Sequence, residues 1–356
     1  MLNSLLIKNF RNISDISLKC FAGVNFLFGK NGQGKTNILE AIHIFSIGRP
    51  FRAKVFYDAI KFEKDSFHLF AGFKTWKAEV HAAVVPLEKK KFLIDETKVS
   101  FFDFLGNFCT VLFSPQNIEI VTGSPNTRRD YLDSILVHID KSYYLVLKNY
   151  KNALKQRNCL LKKIEQKKAQ TNELVPWNLL LNKNAQIIWQ KRKELIQAVE
   201  TILKQQYKTL SQKNDLIKII YYPKSKSNNF LDDLKQSYAK DLAMGVTSLG
   251  PHRDDFEILL NQQNASKFAS QGEIRSLVLG LKFSEIEILE NFYQKPVVLL
   301  LDDVFSELDK NRQKSLLAMV QNRQTFISTT HLEKSFLKKA KAFEIKKGAI
   351  ANIFSF

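Results

Sequence analysis

Cysteine is scarce in this 356-residue chain: Cys20, Cys109 and Cys159 stand far apart, with no C-x-x-C pair. That excludes a cysteine-based zinc site, and it fits a reducing cytosol, so a cytoplasmic location is expected. No run of 18 apolar residues occurs, so no membrane-spanning helix and no membrane partner are expected. The opening MLNSLLIKNFRN lacks a basic segment ahead of an apolar one, which argues against a signal peptide. No internal repeat is evident. Acidic residues are also short: Asp+Glu number 35 against 54 Lys+Arg, a net charge of +19.

An excess of this size points to a polyanion partner, nucleic acid or an anionic surface, with plain solubility as the bland alternative. Its distribution favours the first. Residues 141–220 hold 17 Lys/Arg and 5 Asp/Glu, so 17 − 5 = +12 falls in less than a quarter of the chain. Runs such as KKIEQKK and QKRKEL are either solvated helix faces or phosphate contacts. If contacts, they carry charge but no base information, so binding should be salt-dependent and indifferent to sequence.

Apolar residues at 45% suffice for packed cores, and the length suits two or three domains. LLIKNF, ISDISLKC and VNFLFG read as short strands, then HLFAGF, AEVHAAVV and KFLIDE as an inserted antiparallel meander, then CTVLF as another strand. From about 117 the pattern becomes helical. Ser124 is placed as an N-cap with Pro125 opening the helix, and TNELVP breaks two longer periodic stretches. Those stretches predict a basic lobe of three or four helices, too short for an extended coiled coil. Strand character resumes at LIKIIYY and FEILL, and VVLLLD, TFISTT and AFEIKK follow. The expected organisation is an ATPase domain in two parts, 1–116 and 246–356, with a helical lobe at 117–245 between them.

The chemistry is concentrated in four stretches. GKNGQGKT at 29–36 satisfies G-x-x-x-x-G-K-[ST], with a strand before it and a helix after it. Gly29, Lys30, Asn31, Gly32, Gln33 and Gly34 would curl backbone N–H groups around phosphates. Lys35 would reach the β/γ oxygens, and Thr36 would offer a hydroxyl to Mg²⁺. VVLLLDD is continuously apolar, as a strand covered on both faces must be. Asp302 at its end is the expected Mg²⁺ ligand, and Asp303 would orient the attacking water. TFISTTH ends on His331, a candidate γ-phosphate sensor. The fourth stretch, SQGE, offers Ser270, Gln271 and Gly272 at a helix N-terminus, with donors suited to a γ-phosphate. It has no lysine or strand of its own, so it is expected to close over ATP held by a second copy, head to tail.

This order of motifs resembles the ABC-type ATPase heads, with SQGE as signature loop and SELD (Ser306 to Asp309) as D-loop. Within that class the chain resembles the RecF family of bacterial recombination mediators. The residues that carry the likeness are NFRN, GRPFR, FSPQNIEIVTGSPNTRRDYLD, SLGPHRDDFEILLN, FASQGEIRSLVLGLKFSE and LLLDDVFSELD, in order over nearly the whole chain. The resemblance implies an α/β ABC-type head: a mixed sheet with flanking helices, an antiparallel meander and an inserted helical lobe. It also implies an ATP-dependent dimer that binds gapped, junction or duplex DNA and works with RecR and RecO to place RecA. By position it adds Gln116 as the Q-loop residue. Asp303 stands where most such heads have Glu, which implies a slow ATPase acting as a switch. Glu273 stands where the pattern more often has Gln, a like charge near the γ-phosphate.

The rivals are a transporter ATPase subunit, a structural SMC-type head and another DNA-independent P-loop NTPase. Transporter subunits place the signature closer to the phosphate loop than 270 − 36 = 234 residues and have no need of a basic lobe. SMC heads need far longer coiled coils, and a small-molecule kinase has no use for SQGE. Arg128, Arg129 and Arg253 suit either DNA contact or ion pairing with Asp130 or Asp254.

Overall fold

The computed structural model describes every residue except 54, 86–88, 226–228, 305–312, 314–315, 317–319, 321, 333–339 and 356. The chain divides into two compact units, one formed by Met1–Gln116 with Leu289–Phe356 and the other by Asn117–Ile288.

In the first unit, β1 (Leu2–Phe10), β2 (Ile13–Lys19) and β3 (Val24–Phe28) lead into the helix Lys35–Ile47. That helix stops where Gly48 turns left-handed at φ 64 and donates its N–H back to the Ile44 carbonyl. The meander follows as β4 (Ser66–Phe73), β5 (Lys77–Ala83), β6 (Lys89–Ile94) and β7 (Thr97–Val99), then β8 (Thr110–Phe113). The meander and β1–β2 form one antiparallel sheet, ordered β2-β1-β4-β5-β6-β7. Its strands alternate buried and partly exposed residues, most regularly in KAEVHAA, because only one face is covered.

The second unit starts with the helix Pro125–Ile139, whose Ser124 holds the N-cap position without a side-chain cap bond. Asp140 then caps the helix Lys141–Glu165, its Oδ1 accepting from the N–H groups of Ser142 and Tyr143 at 2.9 and 3.2 Å. A Gln170–Glu173 capping box turns the chain into the helix Val175–Ser211. Its 37 residues span about 55 Å at the usual rise. Leu181, Ala185, Ile188, Arg192, Leu195, Val199 and Leu203 recur every three or four residues along its buried stripe. Three strands complete this unit: β9 (Ile217–Tyr222), β10 (Asp255–Leu260) and β11 (Gln263–Asn264), ordered β11-β10-β9. FEILL therefore pairs antiparallel with IKIIYY inside this unit. The unit runs on to Ile288, past the residue 245 at which the sequence reading ends the lobe.

The chain returns to the first unit with β12 (Val298–Asp302), β13 (Thr325–Thr329), β14 (Ala340–Lys346) and β15 (Ala349–Ser355). These join β3 and β8 in the order β15-β14-β3-β13-β12-β8, parallel except for the β14–β15 hairpin. VLLLD is buried at every position, which requires cover on both faces. One core joins both sheets: Leu69 and Val80 of the meander, Ile38, Ile42 and Phe45 of the helix, and Leu300 and Phe326 of the parallel sheet. Among the described residues no helix is long and apolar enough to cross a membrane.

Candidate functional site

The phosphate loop bridges β3 and the helix Lys35–Ile47 at the carboxyl edge of the parallel strands. Gly29 takes φ 147, where a Cβ would lie 2.3 Å from the Ile345 carbonyl oxygen. Gly34 takes φ 107, and its Cβ would meet Asn12 Oδ1 at 2.8 Å. Any side chain at either position would push the loop off its supports. Those supports explain part of NFRN: Asn12 Nδ2 donates to the Gly32 carbonyl at 3.2 Å, and Asn12 Oδ1 accepts from Asn37 at 2.6 Å. On the other side the turn between β14 and β15 grips Gln33. Lys347 N donates to Gln33 Oε1 at 2.6 Å, and Gly348 N to the Gln33 carbonyl at 2.9 Å.

Lys35 is only 7% exposed, and its ammonium donates to the carbonyls of Gly29 and Lys30 at 2.6 and 2.9 Å. Burial lowers its pKa, against the opposing pull of Asp303 and Asp302. The ammonium is thus folded over the loop that a phosphate chain would occupy.

The carboxylates arrive through strand pairing. Parallel register sets Asp302 of β12 opposite Ser328 of β13. Ser328 Oγ donates to Asp302 Oδ1 at 2.7 Å and accepts from Asp303 N at 2.9 Å. Thr36 Oγ1 donates to the same Asp302 oxygen at 2.7 Å. Asp303 itself sits at φ 51, a left-handed conformation that Asp tolerates better than most residues. These groups line a cavity of about 340 Å³ with Asn31, Gly32, Gln33, Gly34, Lys35, Asn37, Arg52, Pro115 and Gln116. A hydroxyl and a carboxylate oxygen meeting beside a buried ammonium and a loop of backbone donors match what Mg²⁺ and a triphosphate require.

Sequence reasoning missed Ser328 and Arg52. It favoured His331, two residues beyond β13, which is exposed and does not line the cavity. Arg52, from GRPFR, reaches the cavity wall from an anchored position: its Nη2 lies 3.0 Å from Glu40 Oε2 and also bonds Asn37. Arg11, from NFRN, meets the same carboxylate at 2.9 Å, and Glu40 is fully buried. Burial would raise the Glu40 pKa, but hydrogen bonds from Arg11 and the Arg52 backbone, with both positive charges, hold it below its ordinary value. A lone Glu inside the apolar run NILEAIHIF was the available sign of such a partner.

The remaining predicted residues lie elsewhere. Gly29 and Lys30 serve through their carbonyls, outside the cavity lining. Ser270, Gln271 and Gly272 belong to the second unit, where the helix Gln271–Tyr293 begins. There Ser270 Oγ donates to Glu273 Oε2 at 2.9 Å and accepts from Glu273 N at 3.3 Å. Lys213 pairs with the same carboxylate at 3.0 Å. The backbone N–H of Ser270, then Lys213, hold the Glu273 carboxyl below its ordinary pKa. Arg128 forks onto Asp255 at 2.6 and 2.9 Å, and Arg129 donates to the Asp254 carbonyl, so both are ion-paired or backbone-bound within their unit. Arg253 is exposed. Ser306 to Asp309 lie outside the described residues.

The basic stretch sorts itself by residue type. Of its 17 Lys/Arg, 14 are exposed and Lys191 is half-buried, while Arg157 and Arg192 are buried. Arg157 Nη1 donates to Asp241 Oδ2 at 2.8 Å and to Thr247 Oγ1 at 2.7 Å. Arg192 forks onto Asp133 at 3.0 Å through Nε and Nη2, and reaches Asp254 at 3.4 Å. Burial is the largest influence and opposes the Arg192 charge, but Asp133, Tyr143, Tyr221 and Asp254 together outweigh it and hold the guanidinium above its ordinary pKa. Asp254, of SLGPHRDD, also accepts from Trp189 Nε1 and Lys224 N, both at 2.8 Å.

The model of the RecF/RecN/SMC N-terminal domain family matches residues 1–350. The DNA replication and repair protein RecF of Caldanaerobacter subterraneus is 34% identical, over 98% of this chain and 99% of its own length. That of Natranaerobius thermophilus is 33% identical, over 93% and 92%. A solved structure of the recombination mediator protein RecF with ATP superposes with a TM-score of 0.91 at 33% identity, covering 99% of this chain and 97% of that one. An Smc head domain from Pyrococcus furiosus, 16% identical with a TM-score of 0.55, shares the fold. The meander, the parallel sheet with its phosphate loop and the helical second unit are thus the architecture of an ABC-type head, and the chain belongs to the RecF family within the RecF/RecN/SMC class.

Proposed function

We propose that this chain is an ATP-dependent DNA-binding switch of replication and recombinational repair. The observation that carries the reading is the cavity in which the Lys35 ammonium, the Thr36 hydroxyl and the Asp302 carboxylate converge. The relatives' names, DNA replication and repair protein RecF, and a relative's structure with ATP support it. Backbone N–H groups of residues 29–36 and Lys35 bind the phosphates, while Thr36 and Asp302 would hold Mg²⁺, which would supply neutralisation of the phosphate charge. Asp303 orients the attacking water, helped by Gln116. Its carboxylate is one methylene shorter than Glu, so turnover is slow.

Ser270, Gln271 and Gly272 close over the nucleotide of a second copy, so ATP links two chains head to tail and hydrolysis releases them. His331 senses the γ-phosphate from that closed state. The exposed lysines of residues 141–220 contact duplex or gapped DNA through its backbone, without base preference. Relatives placed in the RecFOR pathway support RecO and RecR as partners in loading a recombinase.

Sedimentation of wild type and Ser270→Arg, with and without ATP and then with duplex DNA, tests this directly. The expected result is an ATP-dependent dimer for wild type, and a variant that binds ATP yet stays monomeric. Monomers in every condition, with DNA changing nothing, would leave a single-chain NTPase as the better reading.

A further inference from the structure

The outer face of the meander carries a cluster unconnected with the nucleotide cavity, whose lining includes none of its members. In SFHLFAGF the buried positions are Phe67, Leu69 and Ala71, so His68 points outward; in KAEVHAA they are Ala78, Val80 and Ala82, so Glu79 and His81 point outward. Antiparallel register sets His68 directly opposite His81, and Glu79 lies two residues before His81 on the same face. The two imidazoles stack with centroids 4.0 Å apart and planes 10° from parallel. Both Nε2 atoms turn to one oxygen: His68 lies 2.9 Å and His81 3.1 Å from Glu79 Oε2. One ligand atom from each residue falls within 4.8 Å of the other two.

We propose that His68, Glu79 and His81 form a binding site for a late first-row divalent ion, of which Zn²⁺ is the best fit. Two imidazoles and one carboxylate are a ligand set that suits Zn²⁺, Ni²⁺ or Cu²⁺ and not Mg²⁺ or Ca²⁺, which prefer oxygen donors. Three convergent donors leave a fourth position for water, since the neighbours across the sheet cannot supply it. His68 faces Lys8 of β1, which pairs with Asp15 at 4.0 Å, and His81 faces the exposed Lys91 of β6. Bound there, the ion ties β4 to β5 at mid-strand. The site rests on strand register alone, and it holds or fails independently of the nucleotide reading.

The probe is Zn²⁺ added to metal-stripped protein with its three cysteines alkylated, followed by competition with a chromophoric chelator. Co²⁺ absorption in the visible reports the coordination. One equivalent should bind, and His81→Ala and Glu79→Gln should each weaken binding at least about tenfold. Zn²⁺ should also raise the melting temperature of wild type and not of His81→Ala, because a ligand that binds only the folded state stabilises it. Both replaced side chains lie on the outer face, so far-UV circular dichroism and ATP binding should stay at wild-type levels. No saturable site at one equivalent, or wild-type affinity in the two variants, would overturn the proposal.

Discussion

The cavity of the first unit and the helices of the second bury charge in opposite ways. In the first, Lys35 and Asp302 are nearly buried but stand at the wall of a cavity, their partners supplied by carbonyls and hydroxyls. In the second, Arg157 and Arg192 interrupt the apolar stripes of the two long helices and close on Asp241 and Asp133 at salt-bridge distance. Charge that faces a cavity is available to a ligand. Charge that meets its complement inside a helix pair can only hold that pair together, or set its register. The distinction separates the groups proposed to act from the groups that support, in a chain where both kinds sit within conspicuous motifs.

The largest expected effect breaks the supporting side. Arg192→Met leaves Asp133 and part of the Asp254 network buried without their cation, and should cost about 3–5 kcal/mol in urea denaturation. Its mirror on the acting side is Lys35→Ala, which should leave stability within about 1 kcal/mol of wild type. ATP affinity, followed by calorimetry, should nonetheless fall about 100-fold, as expected when a charged hydrogen-bond donor to phosphate is removed. If Lys35→Ala destabilised the protein as much as Arg192→Met, the contrast between the units would collapse.

Ser328→Ala sharpens the comparison within the acting unit. Its hydroxyl ties Asp302 and the Asp303 backbone together, so kcat should drop about tenfold with little change in KM for ATP. An effect confined to melting temperature would assign Ser328 to the core instead. Glu273→Gln keeps the helix cap and removes a negative charge beside Ser270, and should tighten ATP-dependent association a few-fold in sedimentation. The smallest effects belong to the exposed lysines. Alanine at Lys155 or Lys162 should lower the salt dependence of DNA binding by about one unit of slope for each phosphate that the lysine neutralises, with no change in base preference.

Much of the candidate nucleotide site was legible because its residues are local. Lys35 and Thr36 are fixed by the loop they close, and an apolar strand ending in Asp302 needs only its own pattern to be recognised. The arginines were not legible in the same way. Arg157 and Arg192 look like members of a basic surface, and only the helix pairing takes them inside. Along the chain Arg128 has Asp130 and Asp254 as candidate partners, and the structure pairs it with Asp255, which β10 brings to it. Ser328 stands three residues before the His that reads as the better sensor, and only the β12–β13 register sets it against Asp302. His68, Glu79 and His81 read as the polar side of two strands, since alternation gives the face of a residue but not its neighbour across the sheet.

Neighbouring residues were enough to place the glycine loop, the carboxylates and the excess lysine, because each of these depends on a short stretch of chain. The family too was carried by motifs spread in order over its length. Folding alone decided which charges meet: Glu40 with Arg11 and Arg52, Asp133 with Arg192, Asp241 with Arg157. The reason is physical. A buried charge must find its complement wherever packing places one, and the separations here, from 12 to 84 residues along the chain, leave no local trace of which partner it will be.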